Sequence, residues 1–359
     1  MPSSVIFQTG TNFGEGAAIL SPLIQEVIDT SPFNVGLEDE LAKLGITMGD
    51  ALTPKGEITS IVTGGFLQKI DEDAPAPLMQ QIQGWTSLYQ METYATKHKV
   101  TKLFLEWLKA GARMEGNDSS VTTEILRFKD AVQQMVADSK YTVNAIATKL
   151  FTDGFSVTAP FGAGSPAGDG QALFSANHIV KKTGATFSNV IPAGSFLTAI
   201  TLEAAIQQYK TTIYTQNGRR IRTPDIFTLL VPRALETTAR KILNSGGDQA
   251  GVYAGTGSNA NLLNVFSFQG SKVRLVILDM IGEDYFGATI GGANGENMWF
   301  LLNDEYARQT GAFRMFRLWD NEITVWKDDE TDSMYTKLTT HFGMQHITGF
   351  ECVLGFEGV

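Results

Sequence analysis

Charge is what this sequence has least of. Only 18% of its 359 residues are Asp, Glu, Lys or Arg, against roughly 25% in an average soluble domain. Hydrophobic residues make up 43%. A sizeable core can therefore be buried, while the outside is short of the charges that keep a free monomer soluble. A surface covered by other copies of the same chain accounts for both figures; so does a large enzyme with a big buried core. The length allows one large domain or two to three ordinary ones.

Cysteine is almost absent. Cys352 stands alone, which excludes an internal disulfide framework and a multi-cysteine zinc site, and fits synthesis in a reducing cytoplasm. Basic charge is not in excess either: the formal net charge is −10. That excludes a protein that grips nucleic acid through its phosphates, but not one that encloses nucleic acid without holding it tightly. No run of about 18 apolar residues occurs, so no membrane span is expected. The opening MPSSVIFQTGTNFGEG has no basic stretch leading into an apolar run, so no signal peptide is expected.

Catalytic signatures are missing as well. His341 and His346 fall in expected strands at the wrong spacing for a helical zinc pair, and with His98 and His178 they read as structural. Cys352 could be a nucleophile with His341 or His346 as base, but its apolar surroundings fit a buried, inert thiol. Gly251, Gly255 and Gly257 do not make a phosphate loop. The acidic runs Asp71-Glu72-Asp73 and Asp328-Asp329-Glu330 read as solvated turns. The expectation is no enzyme, no metal and no cofactor.

What is present is a sequence of contrasting segments of an α+β protein. Residues 1–56, punctuated by glycine and proline, read as an arm with little core of its own, with short helices at 22–28 and 37–44. Residues 57–100 read as a long two-stranded hairpin, wet on both faces. Its return strand lies over 85–99, and its tip carries Lys69, Asp71, Glu72, Asp73, Pro75 and Pro77. Such an excursion is marginal in a monomer and makes sense lying on another subunit.

The strongest periodicity predicts one helix over 119–152. Val121, Ile125, Phe128, Val132, Met135, Val136, Val143, Ile146, Ala147 and Leu150 recur every three or four residues, capped by Asp118 or Ser119 and closed by Gly154 as a left-handed residue. A helix of that length is a rod of roughly 50 Å. A glycine-rich loop region follows to 190, within a unit spanning 101–198.

Residues 199–312 read as an α/β unit. It has helices at 202–214 and 234–243 and strands at 226–231, 273–278 and 298–302. A flexible-looking loop at 246–264 carries Gly246, Gly247, Asp248, Gly255 and Gly257. Residues 313–359 read as about three returning antiparallel strands. One basic cluster, Arg219, Arg220 and Arg222, is either a salt-bridged loop or a contact for packaged DNA or a neighbour's carboxylates.

This order of elements is similar to the Hong Kong ninety-seven capsid fold of tailed-bacteriophage major capsid proteins. DGQALFSANH with its trailing FSN, PDIFTLLVPRALETTARKIL and WFLLNDEYARQTGAFRMFRLWDN resemble that family too. The resemblance implies an N-arm (1–56), an E-loop (57–100), a P-domain with spine helix (101–198 and 313–359) and an inserted A-domain (199–312). It implies pentamers and hexamers closing an icosahedral head, assembled in the host cytoplasm, around double-stranded DNA that is enclosed without sequence-specific binding. The loop at 246–264 would line the capsomer centre. Scaffolding, portal and decoration proteins are the implied partners. An encapsulin, a cellular cage of the same fold, and an α/β enzyme are the alternatives.

Overall fold

A computed structural model describes residues 5–7, 37–50, 53–62, 82–104, 119–157, 168–244, 273–285, 287–328 and 330–359. In chain order these form β1 (Val5–Phe7), α1 (Leu37–Lys43), β2 (Ile46–Asp50), β3 (Lys55–Val62), β4 (Ile82–Gln90), β5 (Glu92–Val100) and α2 (Ser119–Thr152). Then come β6 (His178–Ile179), β7 (Thr186–Phe187), α3 (Ala199–Thr212), β8 (Phe227–Pro232), α4 (Glu236–Asn244) and β9 (Val273–Leu278). The chain ends with β10 (Asp284–Tyr285), β11 (Ala288–Thr289), β12 (Trp299–Leu302), α5 (Asp304–Thr310), β13 (Phe313–Lys327), β14 (Met334–His346) and β15 (Val353–Phe356).

The periodic stripe produces the 34-residue helix α2 at the expected bounds. Val132, Met135, Val136, Val143, Ile146, Ala147 and Leu150 are all buried, because a 3.6-residue repeat brings them to one face. The helix packs against β5 and β14. Gly154 does not play its expected left-handed role: it is absent from the positive-φ residues. It sits in a 3₁₀ turn, Asp153–Phe155, where a Cβ would stand 3.0 Å from the Phe174 ring. Close packing, not handedness, is what requires a glycine there.

Two sheets flank the core. In the first, β14 pairs antiparallel with both β13 and β5. β1 and β2 pair in parallel with the two ends of β13, at 323–325 and 313–317. The second has the order β15-β12-β8-β9. Its three strands β15, β12 and β8 are buried at every residue, which explains their unbroken apolar runs. Phe151 of α2 joins the sheets, with ring centroids 5.8 Å from Phe300 of β12 and 5.5 Å from Phe313 of β13.

Two expectations change. Residues 37–50 are not a loose arm, since Leu41, Leu44 and Ile46 belong to the main core. The helix at 22–28 lies outside the described residues. The last strand, β15, does not join β13 and β14 in the first sheet but enters the second, pairing with β12 from Trp299↔Phe356 to Leu302↔Val353.

The return of the hairpin is also two strands rather than one. β4 pairs with β3, and β5, beyond a break at Met91, is an edge of the first sheet. The break is where the chain crosses Gly343, whose missing Cβ makes room for the Gln90 backbone. Tyr89 then stacks on Phe316 at 4.4 Å, and Ser87 is buried. The near end of the hairpin is therefore packed on one face, with Glu57, Thr59 and Leu88 exposed on the other.

Candidate assembly site

The hairpin is held well beyond its connections. The register of β3 and β4 shifts between Thr59 and Ile61, so Ser60 is left opposite both Gly84 and Trp85. A bulge of this kind interrupts the ladder and frees backbone groups. Side chains from elsewhere take them up. The Trp85 amide donates to Gln216 Oε1 at 3.0 Å, and Lys181 Nζ donates to the Gly84 carbonyl at 3.0 Å. Gln216 Nε2 donates to Ser60 Oγ at 3.2 Å. The Lys181 ammonium stands 4.2 Å above the Trp85 ring, a cation–π contact. Fit is close throughout: a Cβ on Gly84 would strike Ser60 and Gln216, and one on Gly168 would strike Trp85.

Gln216 is itself anchored in the core. It lies in the turn after α3, closed by Gly218 N donating to the Thr215 carbonyl at 2.8 Å. Its own amide donates to Glu351 Oε1 at 3.0 Å. The other Glu351 oxygen accepts the Tyr306 hydroxyl at 2.9 Å, and the Glu351 carbonyl accepts the Tyr209 hydroxyl at 3.1 Å. Burial pushes the Glu351 carboxyl up to about 7, against the pull of the Tyr306 and Gln216 hydrogen bonds. Burial also raises the Cys352 thiol well above its ordinary value. With Glu351 2% and Cys352 0% exposed, neither faces solvent, and Cys352 is the inert core thiol expected from its apolar neighbours.

A second buried polar unit fixes the segment at 168–190. His178 Nδ1 lies 2.7 Å from Asp169 Oδ2, and Nε2 lies 3.2 Å from the Leu173 carbonyl. The imidazole stacks on Phe350 with centroids 4.5 Å apart. Burial works to raise Asp169, but the His178 hydrogen bond and the backbone amides hold its carboxyl below the usual range. Nearby, burial first and His178 second push His346 down to about 4. All four histidines lie in described strands, and among the described residues no group of three or more His, Cys, Asp and Glu could hold a metal ion.

Of the site residues expected from sequence, Gly246, Gly247, Asp248, Gly255 and Gly257 lie outside the described residues, as do Lys69, Asp71, Glu72, Asp73, Pro75 and Pro77. Arg219, Arg220 and Arg222 follow the Gln216 turn, where Tyr214 bridges Arg220. Ile221 is buried between the exposed Arg220 and Arg222. Among the described residues no ion pair engages Arg220 or Arg222. In the turn at 328–333 Asp332 contacts Lys102 at 2.6 Å and Lys327 at 2.5 Å, which hold it at about 2, while Glu330 and Thr331 are exposed.

Gln216, Lys181 and Glu351 carry no motif, which is why composition and spacing passed over them. The one available signal is the TQNG turn that places Gln216.

A family model described as phage capsid protein matches residues 116–350. Curated protein sequences yield no match. Among solved structures, the chain is similar to one from Mycobacterium phage Patience at 13% identity, covering 95% of this chain and 89% of that one, with a TM-score of 0.47. It is similar to the capsid of Ralstonia phage GP4 at 10% identity, 87% and 86% coverage and a TM-score of 0.46. The mature capsid of bacteriophage PhiM1 gives 8% identity, 88% and 86% coverage and 0.45.

Proposed function

The chain belongs to the phage capsid protein family, and on that footing we propose how it builds the shell of which it is the major protein. Copies meet as pentamers and hexamers, and these close an icosahedral head around double-stranded DNA in the host cytoplasm. The β3–β4 hairpin reaches over the adjacent copy with the tip Lys69, Asp71, Glu72, Asp73, Pro75 and Pro77. The loop carrying Gly246, Gly247, Asp248, Gly255 and Gly257 lines the capsomer centre. Arg220 and Arg222, exposed and without an ion pair among the described residues, face a neighbour's carboxylates or the packaged DNA, with Arg219 beside them. Scaffolding, portal and decoration proteins complete the head, and the subunit's role is structural rather than catalytic.

The observation that carries this reading is the hairpin: β3 and β4 form a two-stranded sheet of their own, held at the bulge by Gln216 and Lys181 and exposing Glu57, Thr59 and Leu88 on one face. An isolated two-stranded ribbon is marginal in water, and a neighbouring copy lying on that exposed face would cover it. Electron microscopy of the purified chain tests the proposal. Closed shells, or rings of five and six, support it. A uniform monomer or dimer in the presence of its co-expressed head proteins overturns it, and empty cages in cells free of phage would instead indicate an encapsulin-like container.

A further inference from the structure

A ribbon attached only through its two connecting strands can pivot about them. Here the hold lies farther out, at the bulge. The groups that the bulge removes from the ladder, the Trp85 amide and the Gly84 carbonyl, are the ones that Gln216 and Lys181 bind. Gln216 reaches both strands at once, through Trp85 on β4 and Ser60 on β3. Its main chain is fixed on both sides: its amide by buried Glu351, its carbonyl by the Lys182 amide at 3.1 Å.

We propose that Gln216, with Lys181, is a positioning clamp that sets the angle at which the hairpin leaves the subunit, and thereby the angle between neighbouring copies in the shell. This rests on the reading of the hairpin as an inter-subunit arm. The bulge makes the ribbon bendable at Ser60, and the clamp selects one bend by offering acceptor, donor and ammonium at fixed positions. The hairpin's direction thus belongs to the core around Glu351 rather than to the strands that connect it. Gly84 and Gly168 serve the same end, since a side chain at either would wedge the ribbon away from the clamp.

Gln216→Ala keeps the backbone bond to Glu351 and removes the side-chain bonds to Trp85 and Ser60. Gln216→Met keeps the length without the polar atoms, separating lost bonds from lost volume. Lys181→Met removes the bond to Gly84 while leaving an apolar chain over Trp85. In each variant, hydrogen exchange at the Trp85 amide is expected to rise about tenfold, while helix residues 143–150 keep their protection. Assembled particles are expected to spread in diameter under the electron microscope. Wild-type protection at Trp85, or particles of one wild-type diameter in all three variants, overturns the clamp. Deletion of residues 71–77 separates the two ideas. Normal shells from the deletion overturn the inter-subunit arm itself; loss of shells on deletion, with uniform shells from Gln216→Ala, overturns only the clamp.

Discussion

The amide of Gln216 donates to the carboxylate of Glu351 at 3.0 Å, inside a protein whose surface is short of charge. Among the described residues that carboxyl takes hydrogen bonds from Gln216 and Tyr306 and meets no cation, so burial makes its charged form costly.

That cost has a sign in pH. Folded Glu351 titrates at about 7, above its ordinary 4.5, so between these values the folded state holds a proton that the unfolded state has lost. Stability from this group is therefore fully present below 4.5, falls as pH rises, and levels off above 7. Glu351→Gln should remove the slope and stabilise the subunit above pH 7 by on the order of 3 kcal/mol. His346, folded at about 4 against 6.5, opposes it: its contribution rises with pH through that window. Urea unfolding of wild type and Glu351→Gln at pH 5 and pH 7.5 checks this, and equal pH slopes would refute it.

Val132 is 1% exposed on the buried stripe of the long helix. Val132→Asp should cost about 4 kcal/mol, since a carboxylate there has to be desolvated or protonated. Gln134→Ala, on the exposed side, should cost under about 0.5 kcal/mol. Circular dichroism during denaturant titration would show the two differing; a match between them would remove the helix's packed face from the argument.

Asp169 and His178 have side chains at 0% exposure. Asp169→Ala strands the imidazole and should cost roughly 3 kcal/mol. The loss should be accompanied by faster proteolysis within residues 168–190, because the carboxylate also accepts the Gln171 and Ile179 amides at 3.1 and 3.4 Å. An unchanged digestion pattern would mean the segment is held by its aromatic contacts alone.

Gly343→Ala places a methyl group against the Gln90 carbonyl. Relief requires lifting the chain where β4 becomes β5, at about 1–3 kcal/mol, and should break the Tyr89–Phe316 stack. Near-ultraviolet circular dichroism together with thermal melting reads both; a variant as stable as wild type would show that the crossing has slack.

The long helix was legible because its pattern is local: a stripe at spacings of three and four survives whatever packs on it, and α2 matches it end to end. VRLVIL was legible for the same reason, as an apolar run bounded by polar residues. Pairing was not. Val353–Phe356 reads as one more returning strand, and only its partners, more than fifty residues away, place it beside Trp299–Leu302. The break at Met91 hides in an alternation that continues across it, because the cause is a glycine at position 343. At the candidate site, Lys181 and Gln216 carry no residue pattern, since what selects them is a bulge in strands more than ninety positions earlier.

The place of β15 in its sheet has a consequence for timing. Trp299, Phe300, Leu301 and Leu302 are fully buried, and Val353–Phe356 is their cover along one edge. A polypeptide still growing on the ribosome short of Val353 lacks that cover, so its sheet cannot close. The open edge of Trp299–Leu302 is thus covered late, after the strand it pairs with on its other side, Phe227–Pro232, has already been made.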